Sequence, residues 1–360
     1  MKQSASWQLG VDIGGTYVDI VALREDGALR SGKSPYPPGA GQAAATLSAI
    51  NGFLQAEAIG AGEIRRIQHG TTLVTNALLE RQEKPVGIIT NSGFEDILAI
   101  GRQNRDDLYS MAPQSSTPLD IFPDALRVGR AGRLSADGTE TEPIDPGRVE
   151  QAIQLLADTG ADAVAVCLLH STVNPAHELQ VRDIISRQCP EMQISVSHLI
   201  DSAPGEYERF LATALDAYIK PMAQSYLQAL SSGLSGAGLP APEIITSDAT
   251  VITSDDAIAM PIRLAMSGPA AALRGFEALS RQAEDLGSPV MITLETGGTT
   301  SDIGLIRDGE LNHGRQLHIG ELSIRQRAVD IGSTAIGGGS VLRVNEAGAL
   351  RVGPDSAGSV

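Results

Sequence analysis

The sequence predicts an α/β protein organised around a duplicated three-stranded β-meander. Strand-like and helix-like segments alternate along most of its 360 residues. A short segment near the N-terminus recurs near residue 300. The composition, 42% apolar and 19% charged, belongs to a globular chain rather than a disordered one. Aromatic residues make up only 3%, so the cores must be built from Ala, Val, Ile and Leu. One core seldom grows past about 250–300 residues; two domains are therefore expected.

Leu9–Ile13 and Val18–Leu23 read as strands around a glycine turn. Gly41–Ala58 and Pro146–Thr159 read as helices, the second leading into an apolar strand, Ala163–Leu169. Pro175–Arg187 is helical again. Gly205–Ser232 carries the longest helical pattern, with Tyr207, Leu211, Leu215, Tyr218, Met222 and Leu227 near helical spacing. Pro221 falls inside it and is expected to kink or split it. Ser231–Pro242, rich in Gly, Ser and Pro, reads as a loop.

A net charge of −16 disfavours nucleic acid and anionic membranes as partners. The longest apolar run, Ala163–Leu169, is far short of the ~20 residues of a membrane span. Met1-Lys2-Gln3-Ser4 leads almost directly into a strand with no secretory apolar region, so a cytoplasmic protein is expected. Cys167 and Cys189 cannot staple a fold of this size, and Cys167 reads as core packing.

The repeat carries the chemistry. Residues 9–23 read LGVDIGGTYVDIVAL and residues 292–306 read ITLETGGTTSDIGLI. Gly14, Gly15, Thr16, Asp19 and Ile20 recur as Gly297, Gly298, Thr299, Asp302 and Ile303, with an acid, Asp12 or Glu295, before each glycine pair. An Asp-Gly turn follows in both, Asp26-Gly27 and Asp308-Gly309. Adjacent glycines let backbone N–H groups face an anion that no Cβ obstructs. Threonine adds a hydroxyl donor, and a carboxylate at the strand end can hold Mg²⁺ through water. Two such loops facing each other would grip the phosphates of a nucleotide. An ordinary Gly-Gly hairpin explains one copy, and the duplication argues against it for two. Gly27–Ser34 matches the Walker A pattern formally, but Pro35-Tyr36-Pro37-Pro38-Gly39 cannot open the required helix.

The duplicated loop resembles that of the actin, hexokinase and heat-shock chaperone ATPases, implying an actin-like (ribonuclease H-like) α/β fold. Met266–Ala272 stands where those ATPases carry a helix crossing between domains. More closely, the chain resembles the A-type subunit of the hydantoinase/oxoprolinase family. The matching strings are DIGGTYVDI (12–20), HGTTLVTNALLER (69–81), GFEDILAIGRQ (93–103), AVAVCLLHSTVNPAHE (163–178), YERFLATALDAYIKP (207–221), SGPAAA (267–272), GGTTSDIGLI (297–306) and GGGSVLRV (337–344). They stand in family order over essentially the whole chain.

The resemblance implies ATP-dependent, Mg²⁺-assisted ring opening of a cyclic amide such as a hydantoin or 5-oxoproline, by phosphorylation of its carbonyl oxygen. A nucleotide-binding subunit of an ATP-dependent ketone (acetone or acetophenone) carboxylase is the alternative within the family. It also implies a B-type partner subunit, or a C-terminal half. The implied site has Asp12, Glu295 and Asp302 as catalytic carboxylates, with Asp12 and Asp302 as metal ligands. Gly14, Gly15 and Thr16 would form one nucleotide wall. Gly297, Gly298, Thr299 and Thr300 would form the other, with Gly337, Gly338 and Gly339 beside it. Asp19 and Asp302 could instead cap their turns.

Three departures point toward a third reading, a truncated pseudo-ATPase. Glu295 stands where the family has Asp, Gly332 stands where it has His, and the family continues beyond residue 360, which leaves the second domain incomplete. For the substrate, His69, Thr71 and Thr72 could bind a carbonyl oxygen at a helix start, or Thr71 or Thr72 could simply cap it. Arg102 could clamp a carboxylate or form a surface salt bridge. His170, His177, His313 and His318 show no zinc spacing, and the last two are expected in a loop.

Overall fold

The computed structural model describes residues 6–14, 17–35, 41–104, 109, 111, 117–282, 290–297, 301–334, 336–345 and 347–356. The first meander is β1 (Trp7–Ile13), β2 (Tyr17–Arg24) and β3 (Leu29–Pro35), followed by α1 (Gln42–Ala56), β4 (Ile64–Thr71) and α2 (Leu73–Glu80). Next come β5 (Gly87–Asn91), the single turn α3 (Ile97–Ile100), β6 (Arg127–Ala131) and a hairpin of β7 (Arg133–Leu134) and β8 (Glu140–Glu142). Then follow α4 (Pro146–Asp158), β9 (Ala163–Cys167), α5 (Ala176–Gln188), β10 (Gln193–Val196), the turn α6 (Ser197–Ile200) and α7 (Glu206–Gly236). β11 (Pro242–Ile245), β12 (Val251–Thr253), α8 (Ser254–Ala259) and α9 (Ser267–Gln282) lead to the second meander. It consists of β13 (Val290–Thr296), β14 (Ser301–Arg307) and β15 (Glu310–Leu311).

A six-stranded sheet runs β12-β11-β4-β1-β2-β3, and a parallel four-stranded sheet runs β10-β9-β5-β6. The second meander forms its own sheet, to which the strand Ile331–Thr334 adds beside β14. The alternation in β1 explains its place. Trp7, Leu9, Val11 and Ile13 are buried in the core, while Gln8 and Gly10 are exposed and Asp12, on the same face as these two, is half-buried. In β9 all five residues are buried, as a central parallel strand requires.

The two meanders match in register. Asp12 lies opposite Asp19 in the β1–β2 pair, and Glu295 lies opposite Asp302 in the β13–β14 pair. The Asp-Gly turns place Gly27 and Gly309 alike at positive φ but differ in length: Leu23 pairs with Leu29 across the first, and Arg307 with Glu310 across the second. The Walker-like lysine, Lys33, sits within β3 rather than before a helix. α9 contacts β4 and β11 of one sheet and β13, β14 and β15 of the other.

Two expectations at α7 fail together. Pro221 does not split it: the helix is continuous for 31 residues. Burial of every residue from Arg209 to Lys220 outweighs a proline penalty of about 3 kcal/mol. The expected loop from Ser231 is helical as far as Gly236, because Leu230 and Leu234 are buried. Gly233 is needed there for close approach, since a Cβ would overlap the Leu47 side chain of α1. His313 and His318, expected in a loop, lie in the short strands His313–Gly314 and Leu317–Ile319.

Gly304 of β14 packs directly on α9, where a Cβ would overlap Leu273 and meet Thr293 Oγ1 at 2.8 Å. Gly304→Val is expected to destabilise the chain by about 1–3 kcal/mol. Gly10→Val, whose Cβ position is open, should change stability by less than about 0.5 kcal/mol. Urea denaturation of the two variants checks this.

Candidate active site between the two meanders

Parallel pairing of β1 with β4 sets Asp12 directly opposite Gly70. The Asp12 carboxylate fills the space where a Gly70 Cβ would be, 2.9 Å from Oδ1. A Cβ on Gly268, at the start of α9, would lie 3.3 Å from the same oxygen. Ser267 fixes that helix start: its Oγ donates to the Thr71 carbonyl at 2.9 Å and accepts from Thr71 N–H at 3.2 Å. Met266, at a φ of 59°, turns the chain into the helix, and its N–H donates to Thr75 Oγ1 at 2.8 Å. Asp12 Oδ1 is buried and has no hydrogen-bond partner. Burial raises the Asp12 carboxyl above its ordinary range; Asp19 adds to this and Lys33 opposes it.

The second meander brings a matching pair. Asp302 Oδ1 is likewise buried without a partner. Partial desolvation, then Asp302, Asp12 and Asp19 in turn, raise the Glu295 carboxyl. Asp12 and Asp19 of the first meander thus lie near enough to act on Glu295 of the second. Asp19 is held by Lys33 Nζ at 2.8 and 2.9 Å, with the ammonium 4.9 Å from the Tyr17 ring centroid.

Several expected nucleotide contacts are used inside the protein. Gly14 N–H donates to the Tyr17 carbonyl at 2.9 Å, closing its own turn. Gly338 N–H donates to the Gly297 carbonyl at 2.9 Å, and Gly337 N–H to Ser340 Oγ at 2.9 Å. Ser301 Oγ donates to the Ile336 carbonyl at 2.6 Å. The turn bearing Gly337, Gly338 and Gly339 is thus anchored on the second loop. Gly15, Thr16, Gly298, Thr299 and Thr300 lie outside the described residues.

Among the described residues, no group of three or more His, Cys, Asp or Glu side chains is arranged to hold a metal ion. Mg²⁺ needs none, since it keeps several waters and takes one or two carboxylates together with phosphate oxygens. Two buried, unpartnered carboxylate oxygens, one on a strand of each meander, fit that donor set.

The expected substrate residues lie elsewhere in the fold. His69 is buried in β4, with Nδ1 3.2 Å from the Val11 carbonyl and Nε2 2.6 Å from the Tyr226 hydroxyl of α7. Burial holds its pKa down to about 4. Thr71 Oγ1 accepts from Leu73 N–H at 3.1 Å, and Thr72 Oγ1 donates to the Ile13 carbonyl at 3.2 Å. It is therefore Thr71 whose hydroxyl serves the start of α2, although Thr72 holds the N-cap position. Arg102 makes a bidentate pair with Glu208, both contacts at 2.7 Å. It lines a cavity of about 210 Å³ with Tyr207, Glu208, Gln316, Glu321 and Arg325, which includes no residue of either meander. Gly70, Gly268, Ser267 and Tyr226 are missed by motif reading, although the first three lie inside matched strings.

The hydantoinase/oxoprolinase N-terminal region profile matches residues 8–189, and the hydantoinase/oxoprolinase profile matches residues 209–360. The chain belongs to the hydantoinase/oxoprolinase family. It is 31% identical over 385 residues to the acetophenone carboxylase gamma subunit of Aromatoleum aromaticum, covering 100% of this chain and 50% of that protein. The nucleotide-free structure of acetone carboxylase superimposes with a TM-score of 0.82 at 24% identity, over 99% of this chain and 52% of that one. The ATP-dependent caprolactamase from Pseudomonas jessenii gives 0.81 at 25% identity, over 98% and 51%. The chain spans about half the length of the curated relatives it matches. No helix among the described residues is long and apolar enough to cross a membrane.

The His69 ring should not titrate between pH 5 and 8 by NMR; a base with a lowered folded-state pKa loses stability as pH falls from 6.5 toward 4. Tyr226→Phe should cost about 1–2 kcal/mol in urea denaturation. For Asp12 the sign is opposite. A raised carboxyl carries no penalty below the ordinary 3.8 and its full penalty above the raised value. Without divalent cation, Asp12→Asn should therefore melt about 2 °C or more above wild type at pH 8 and converge with it near pH 4. Calorimetric scans across pH check this.

Proposed function

We propose that the chain is the nucleotide-binding part of an ATP-dependent enzyme that phosphorylates a substrate carbonyl oxygen, in the manner of a ketone-carboxylase subunit. The observation that carries this reading is the pair of buried carboxylate oxygens, Asp12 Oδ1 and Asp302 Oδ1, left without hydrogen-bond partners at equivalent hairpins of the two meanders. Such oxygens cost free energy unless a cation or water meets them. Similarity over the whole of this chain to half of an acetophenone carboxylase subunit supports the ketone substrate. A cyclic amide is the second reading, favoured by the likeness to the caprolactamase. The actin-like relation and the division into 1–200 and 201–360, one meander in each, belong to the same proposal.

Asp12 and Asp302 would hold Mg²⁺ through its water shell, and the ion when bound supplies charge neutralisation to the phosphates. Gly15, Thr16, Gly298, Thr299 and Thr300 would offer N–H and hydroxyl donors to the nucleotide from opposite walls. Glu295, one methylene longer than Asp12, would orient the oxygen that receives the phosphoryl group. Lys33 keeps Asp19 neutralised, so that the cluster does not repel the nucleotide outright. A further subunit or C-terminal half would bring the remaining substrate chemistry.

Calorimetric titration should detect Mg-ATP binding to the chain, weakened about 10-fold or more in Asp12→Ala and also in Gly70→Ala, whose Cβ displaces the carboxylate. Absence of binding, or binding indifferent to both substitutions, would leave the non-catalytic pseudo-ATPase as the better reading. ATP turnover with acetophenone and bicarbonate, compared with caprolactam, separates the two substrates.

A further inference from the structure

The lysine of the Walker-like string, Lys33, sits within β3, and sheet register rather than a helix start carries it to the acids. Asp12 lies opposite Asp19 across β1 and β2, and Asp19 lies opposite Lys33 across β2 and β3. Residues paired in this way point to the same face, so the three side chains form one row. The Lys33 ammonium touches both Asp19 oxygens and stands 4.9 Å from the Tyr17 ring centroid. Tyr17 is two residues nearer the glycine turn than Asp19, and its carbonyl accepts from Gly14 N–H at 2.9 Å. The ammonium therefore leans toward that turn. It is also near enough to Asp12 for its charge to oppose the raising of that carboxyl.

Three observations set Lys33 apart from an ordinary surface partner. Its side chain is 56% exposed and that of Asp19 49%, and an ion pair so open to water adds little to stability. The second meander keeps the acid pair across its hairpin without a lysine: Ser333 is the residue opposite Asp302 on the neighbouring strand. Balancing two such acids does not by itself call for a cation. Finally, an ammonium carries three N–H donors, and Asp19 takes at most two of them.

We propose that Lys33 is a direct ligand of the nucleotide, donating its remaining N–H to a phosphate oxygen while it keeps its hold on Asp19. The inference rests on the phosphate-binding reading above and gives Lys33 a contact beyond neutralising Asp19. A compact charge on a flexible four-carbon stem suits this double duty, and a charge-assisted bond to phosphate is a strong one.

Calorimetric titration of Mg-ATP into chain 1–360 and three variants separates direct contact from neutralisation. Lys33→Met should bind about 10-fold or more weaker than wild type, which either role predicts. Asp19→Asn should bind at least as tightly as wild type, because it removes a negative charge beside the anion. The double variant Lys33→Met/Asp19→Asn decides. Direct contact leaves it about 10-fold or more weaker than Asp19→Asn alone, whereas a lysine that only neutralises Asp19 has nothing left to do once that charge is gone. Melting temperatures should stay within about 2 °C of wild type, since both side chains are half exposed. A double variant that binds like Asp19→Asn, or a Lys33→Met that binds like wild type, would overturn the proposal and leave the phosphate-binding reading standing. A wild-type chain that binds no Mg-ATP would overturn that reading and this proposal with it.

Discussion

The site rests on the parallel pairing of β1 with β4. That register puts Asp12 against a residue with no side chain, and the start of α9 closes over the same carboxylate with a second glycine. Ser267 binds both backbone groups of Thr71, so the helix start cannot shift without breaking the β4 terminus. Three elements distant in sequence therefore hold one acid in a single place. Its burial follows from that enclosure, and so does its raised pKa.

The same strands carry the packing that makes the enclosure rigid. His69 lies two residues before Thr71 and ties β4 to the carbonyl of Val11 and to Tyr226 in the long helix α7. Its ring is neutral and shielded, suited to bracing rather than to proton transfer. α7 in turn approaches α1 closely enough at Gly233 to exclude a methyl group. The acidic cluster thus sits on a wall whose other side is dense aliphatic core.

Much of this was legible before the fold was seen. The repeated Gly-Gly and Asp-Gly turns specify two meanders, and the acid placement specifies their register, because a hairpin turn fixes which residues face each other. Pro221 misled because local propensity is a weak prior against burial on all sides. Gly70 and Gly268 escaped notice because their value lies in contact across the fold rather than in spacing along the chain. His69 and Arg102 looked available as ligands because a sequence cannot show that Tyr226 and Glu208 already occupy them.

The two meanders are copies in backbone but not in charge. Lys33 neutralises Asp19 on one side, while no ion pair reaches Asp302 among the described residues. Glu295 also extends farther than Asp12 from otherwise equivalent strand positions. A cleft between identical halves would present the same face to a ligand entered from either end. These two meanders are not equivalent: the one with the built-in cation and the one without it are distinguishable to an elongated anion, so the two orientations of such a ligand beside them differ in energy.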